Sequence, residues 1–347
     1  MSIIESGSRI HKMSGPASVT VLQVQIPVSP GARPRSCVMY LMGDIHFSFD
    51  NMCPPSKCVP KKGCVDIGRF LHNVTSEPAL RAISLETDVF MEVPFGDIMK
   101  KKKNQTKGDS SDPHIKDFGE RAGILGWMYK HFSNRLYAHG RSSTRLGRFH
   151  FVDVRTNTGS TGMPSTTTDF LRSAPTVADA YKLMYRILMD DPVRSKVAKQ
   201  FHKLKGSPYQ LRLAEYIKTS VEHIINDIRK SYTHNTPAKK ESSFDNIFFY
   251  KVRVLVMDTY LLGRMLYYMI RDTKQLHHRI VLYAGAMHTS NVTSFLVHNI
   301  GAAIMSDTPS TISGVNTHNL RNVNRCVNVV LDPIVEELVI LGQNTQI

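Results

Sequence analysis

Val38-Met39-Tyr40-Leu41-Met42 followed by Gly43-Asp44-Ile45-His46, and Ile280-Val281-Leu282-Tyr283-Ala284 followed by Gly285-Ala286-Met287-His288, are the two stretches on which the fold turns. Each is a short apolar run stopped by glycine, the pattern of a buried strand in a parallel sheet covered on both faces. The polar turn that follows lies at the strand's C-terminal end, the edge at which open α/β sheets bind ligands. Two histidines far apart in the chain are therefore expected to face one crevice. A third Gly-x-x-His, Gly147-Arg148-Phe149-His150, precedes its apolar run. That order puts His150 within or before a strand and outside the set.

Two further strands end the same way. Val89 to Met91 stops at Glu92, and a carboxylate closing an apolar strand is costly to bury unless it is paired or binds a cation. Phe149 to Val154 stops at Arg155, before a Gly/Ser/Thr-rich loop over 156–168. Four strand ends thus carry His46, Glu92, Arg155 and His288. Val19 to Ile26 alternates apolar with polar and predicts an edge strand, while residues 1–17 read as a flexible tail. Asp66 to Val74 and His114 to Tyr137 suit helices. Thr176 to Asp179 has the form of a capping box, and Ser207-Pro208 opens a helix with Leu211, Ala214, Ile217, Val221, Ile224 and Ile228 on one face. A polar gap over 231–243 precedes a helical pattern from Phe244 to Ile270. After His288, caps at Thr289 to Asn291 predict a helix over 292–300 closed by Gly301; 306–319 reads as loop, Cys326 to Leu331 as a strand, and Val335 to Leu341 as a last helix or strand. The expectation is an α/β fold: a mostly parallel, mixed central sheet flanked by helices in one domain over 18–347. Its sheet-forming parts are 18–160 and 245–347, with a helical insertion over 169–244.

Hydrophobic content of 41% and charged content of 21% are those of an ordinary globular chain. Apolar runs fall short of a membrane span, and the N-terminus lacks the basic-then-apolar pattern of a secretory signal, so a cytoplasmic protein is expected. Lys and Arg outnumber Asp and Glu by 44 to 29, a net charge of +15 that favours weak binding of polyanions through basic loops such as Lys100 to Lys103. Cys53, Cys58 and Cys64 follow His46 in a C-x4-C-x5-C spacing. Two readings stand: reduced thiols, or a structural zinc site completed by a histidine.

Paired Gly-x-x-His turns with a strand-ending glutamate and an arginine between them resemble the TIKI/TraB group of metalloproteases. More distantly they resemble erythromycin-esterase-like and ChaN-like haem-binding proteins. LMGDIHFSFDNMCPPSKC, VMDTYLLGRMLYYM and LYAGAMHTSNVTSFL are also similar to stretches in proteins of large DNA viruses, which implies host cytoplasm or virion as the location. The resemblance implies a metal-dependent hydrolase of peptide or ester bonds. His46, His288 and Glu92 would be ligands of Mn, Co or Zn, Arg155 would stabilise the oxyanion, and Asp44 would act as an outer partner of His46. The alternatives are a metal-free site with a histidine as general base, and a non-catalytic viral structural, polyanion-binding or haem-binding protein on the same fold.

Overall fold

The computed structural model describes residues 10–26, 35–44, 64–94, 128, 132, 145–153, 176, 178–179, 182–183, 194–234, 237–271, 277–308 and 326–344. In chain order the elements are β1 (Ile10–Ser14), β2 (Ser18–Ile26), β3 (Arg35–Asp44), β4 (Cys64–Asp66), α1 (Ile67–Asn73), α2 (Glu77–Ala82), β5 (Leu85–Pro94) and β6 (Gly147–Asp153). The helices α3 (Arg194–Lys203), α4 (Pro208–His234) and α5 (Pro237–Ile270) follow, then β7 (His277–Gly285), α6 (Ala286–Phe295), a π-helical turn (Leu296–Ile300), β8 (Ala303–Thr308), β9 (Cys326–Val330) and α7 (Pro333–Asn344). The fold is α/β, as its sequence implies. The chain divides into two compact units where one domain was expected: Met1–Val93, Ile98–Phe151 and Arg271–Ile347 form the first, Pro94–Asp97 and Val152–Ile270 the second.

In the first unit six strands lie in the order β6-β5-β7-β3-β2-β8. β5 and β3 flank β7 in parallel, while β2 is antiparallel to both β3 and β8. Two expectations are corrected here. β2 is interior, because β8, whose last three residues were expected to be loop, pairs along it. Part of the expected N-terminal tail is also strand: β1 pairs in parallel with β4 and antiparallel with β9 in a second, three-stranded sheet. Met13 in β1 is fully buried, an apolar anchor too short to show periodicity in the sequence.

Alternation along β5 puts Glu86, Asp88, Phe90 and Glu92 on one face. Asp88 is fully buried and accepts from Arg148 Nε at 2.7 Å and Nη2 at 2.5 Å. It also meets His150 Nε2 at 2.7 Å and His278 Nε2 at 2.8 Å. Glu86 accepts from Arg148 at 2.8 Å and Arg271 at 2.6 Å. Burial alone would raise the Asp88 carboxyl, but hydrogen bonds from His150, His278 and Arg148 outweigh it and hold the group well below its ordinary range. The contacts from β6 advance with β5: Arg148 lies on Glu86 and Asp88, and His150 lies on Asp88 and stacks on Phe90 at 4.6 Å. That is the order of a parallel pair.

A second ion pair sits on the other face, since His278 and Arg279 are neighbours on β7 and point oppositely. Arg279 donates to both oxygens of buried Asp332 at 2.8 and 2.7 Å, and the Tyr40 hydroxyl donates to the same carboxylate at 2.7 Å. Asp332 also accepts from Ile334 N at 3.2 Å, which caps α7 and ties it to β3 and β7.

The second unit is mostly helical among its described residues, with Pro94, Val152 and Asp153 as the ends of β5 and β6. α5 packs against both α3 and α4. It occupies residues 245–270 that were expected in the sheet-forming core, and the polar 231–243 stretch is largely helical. Leu213, Ile217, Val221 and Ile224 of α4 are buried, whereas Leu211, expected on the same face, is 76% exposed. At Thr176 the capping box forms: Asp179 N–H donates to Thr176 Oγ1 at 3.1 Å, and that hydroxyl donates to Asp179 Oδ2 at 2.6 Å.

Two outcomes follow from the buried charges. Arg148→Met would leave Asp88 and Glu86 short of their shared cation, so urea unfolding should show a loss on the order of 3–5 kcal/mol. Burial pulls the His278 imidazole down, but Cys37 and Asp88 outweigh it and raise it from 6.5 to about 9. A group raised on folding stabilises fully below its unfolded value and loses that contribution as pH climbs through the folded one. Chemical denaturation should therefore show stability falling between pH 6.5 and 9, with a flatter profile in His278→Gln. An unchanged midpoint across that window would contradict the pairing.

Candidate functional site

The sheet order sets β6, β5, β7 and β3 side by side, the four strands whose ends were singled out in the sequence. Glu92 is the eighth residue of β5 and not a terminator; it stays buried because the strand continues to Pro94. Its Oε2 accepts from Gly285 N at 2.6 Å, so the carboxylate satisfies the amide at the start of α6. α6 begins at Ala286, earlier than expected, with Gly285 as its N-cap, and the π-helical turn carries the helical segment to Gly301, whose φ of 80° closes it.

His288 therefore lies in the first turn of α6, where it too is buried, and its Nε2 stands 3.5 Å from Glu92 Oε1. Thr289, the next residue, turns toward β3: a Cβ on Gly43 would meet Thr289 Oγ1 at 2.9 Å, Ala286 Cα at 3.2 Å and Ser18 Oγ at 2.4 Å. Gly43 is needed for this close approach of α6 to the sheet. Asp44 is buried one row beyond, opposite Gly285. Alternation along β3 directs it to the other face from Glu92, so it is not brought to the Glu92–His288 pair.

His46 and Arg155 lie outside the described residues, each two positions beyond a described strand end, Asp44 and Asp153. Cys53, Cys58 and Lys100 to Lys103 lie outside them as well. Cys64 is disulfide-bonded, where a reduced thiol was one of the two readings. Cys37 is a buried free thiol beside His278.

Among the described residues no three His, Cys, Asp or Glu side chains come together to hold a metal. The Glu92–His288 pair fits part of such a site. Two ligands at about 2.1 Å in tetrahedral array stand about 3.4 Å apart, close to the 3.5 Å observed. Along the opposite flank of α6 runs a groove of about 450 Å³ lined by Ser18, Thr20, Thr289, Thr293, His298 and Asp307 among others. A bulge in the β2–β8 pairing, between Val21 and Leu22, accompanies the turn of Asp307 toward it, where Thr20 Oγ1 donates to Asp307 at 2.7 Å.

Sequence reasoning left out Asp88, Arg148, His150 and His278. A signal was present in the alternation Glu86-x-Asp88-x-Phe90-x-Glu92, since acids repeating every second residue inside an apolar run require buried cations on neighbouring strands. No family model, curated protein or solved structure matches this chain.

Gly43→Ala should push α6 away from β3 and carry His288 off Glu92. Urea titration should show a loss of about 1–3 kcal/mol from overpacking. Glu92→Ala, which strips the amide at the start of α6, should cost about 1–3 kcal/mol. A wild-type midpoint in both variants would refute the account of how α6 is seated.

Proposed function

We propose that the C-terminal edge of β5, β7 and β3 is the site of a metal-dependent hydrolase of TIKI/TraB type acting on peptide or ester bonds. The observation that carries this reading is the 3.5 Å approach of two buried groups, Glu92 near the C-terminal end of β5 and His288 in the helix that follows the adjacent parallel strand β7. Such a pair has the separation of two ligands on one ion, and His46, following β3, is the third donor in the proposal. Asp44, on the face opposite Glu92, keeps the part of an outer partner of His46 in the proposal. A divalent cation held there would supply a water acidic enough to yield hydroxide near neutral pH.

The chain's own groups then have separate tasks. Glu92 is held by Gly285 N through one oxygen, which leaves the other directed at His288. Arg155, beyond the end of β6, stabilises the negative charge that develops on the substrate oxygen.

Elemental analysis and calorimetric titration with Mn, Co and Zn test the reading. Purified protein should hold about one ion per chain, and chelation should abolish cleavage of a peptide or ester substrate. His288→Ala should lose metal and activity together. Arg155→Ala should keep the metal and lose about 100- to 1,000-fold in rate, as removal of an oxyanion donor does. A folded wild type that takes up no divalent ion overturns the metal mechanism and transfers the pair to a metal-free site, with His288 as general base and Glu92 as its orienting acceptor.

A further inference from the structure

The helical unit carries a face that the proposed hydrolase does not use. Between residues 192 and 214 the chain has Arg194, Lys196, Lys199, Lys203, Lys205 and Arg212 and no Asp or Glu. The bland expectation for such a run is a solvated helix face. Here it is built against aromatic side chains of a second helix. Gly263 on α5 faces Gln200 on α3 so closely that a Cβ there would meet Gln200 Cβ at 2.9 Å. This approach brings the α3 lysines flanking Gln200 beside the last two turns of α5.

The consequence is a set of cations over rings. Lys203 Nζ lies 4.8 Å from the centroid of Tyr267, and Arg264 lies 5.6 Å from that of Tyr260 while donating to its hydroxyl at 3.0 Å. Tyr267 and Tyr268 are half-buried and meet edge to face at 5.3 Å. Lys199 and Lys203 are exposed and one helical turn apart, about 6 Å of rise, enough for each to meet a different phosphate. Burial lowers the Lys203 ammonium below its ordinary range, and the nearby charges of Arg264 and Lys199 push the same way. Like charges held together in this manner are relieved by an anion.

We propose that the face formed by Lys199, Lys203, Arg264 and Tyr267 binds single-stranded nucleic acid, the cations on successive phosphates and the tyrosine edge against a base. Interleaved cations and aromatic rings are the means by which single strands are held without regard to sequence. A lipid surface is disfavoured, since insertion needs a continuous apolar stripe beside the cations. Leu211 is the exposed large hydrophobic residue described in this unit, and it stands alone.

The test is fluorescence anisotropy of a labelled oligothymidylate titrated with the full chain over a series of salt concentrations. Three phosphates neutralised predict a slope of log affinity on log salt near −2. Lys199→Glu with Lys203→Glu should weaken binding at least tenfold, and Tyr267→Ala about tenfold, with far-UV circular dichroism unchanged. Lys182→Glu, which reverses the charge of an exposed lysine already beside Asp179, serves as the control for a single charge reversal and should leave binding near wild type. Several outcomes would overturn the assignment: no binding by the wild type, equal loss in the Lys182 control, equal affinity for a blunt duplex, or binding to phosphatidylserine vesicles in place of the oligonucleotide.

Discussion

The first unit depends on the charge of Asp88. A carboxylate with no exposed surface in the middle of a six-stranded sheet is intolerable alone, and breaking a buried pair costs several kcal/mol because a bare charge remains. Asp88 is therefore a constraint on its neighbours: β6 must present Arg148 and His150 and β7 must present His278, all on one face and in one register. A slip of one residue would turn every one of these side chains to the other face. Glu86 extends the same requirement to Arg148 and Arg271, so the charges form a network across three adjacent strands. On the opposite face the Arg279–Asp332 pair does the same for β7 and α7.

The row of acids on β5 links this internal network to the candidate site. Glu86 and Asp88 are consumed by cations within the sheet. Glu92, on the same face and nearer the C-terminal edge, meets a helix start and an imidazole instead. The difference is position along the strand. The helix that follows β7 starts at the level of Glu92 and brings an imidazole and a backbone amide in place of guanidinium groups. Gly43 permits that helix its close approach by having no side chain to fill the space. A second bare glycine, Gly263, sets α3 against α5 in the helical unit, so close backbone approach determines local geometry in both units.

Much of the architecture was legible in the residues. Apolar runs stopped by glycine marked β3 and β7, Asp66 marked the start of α1, and Ser207-Pro208 marked the start of α4, because strand burial and helix capping are local properties. The adjacency of Glu92 and His288 was legible in outline, since a polar group late in β5 and the segment after β7 meet at one sheet edge, although Glu92 does not end its strand and His288 lies in a helix. What the local pattern misread is equally specific. β2 looked like an edge strand because it alternates, yet its partner β8 is itself half exposed and carries no apolar run. β1 looked like tail because five residues cannot display a period.

By itself the sequence determined the α/β class, the buried strands and the excess of positive charge, all of which follow from composition and short-range patterning. Only the tertiary structure decided which charges meet. Asp88 finds partners 60, 62 and 190 positions away, and Glu92 finds Gly285 at a separation of 193. Pairing at that distance is fixed by strand order and register, and those are settled by packing the whole sheet rather than by any one segment of it.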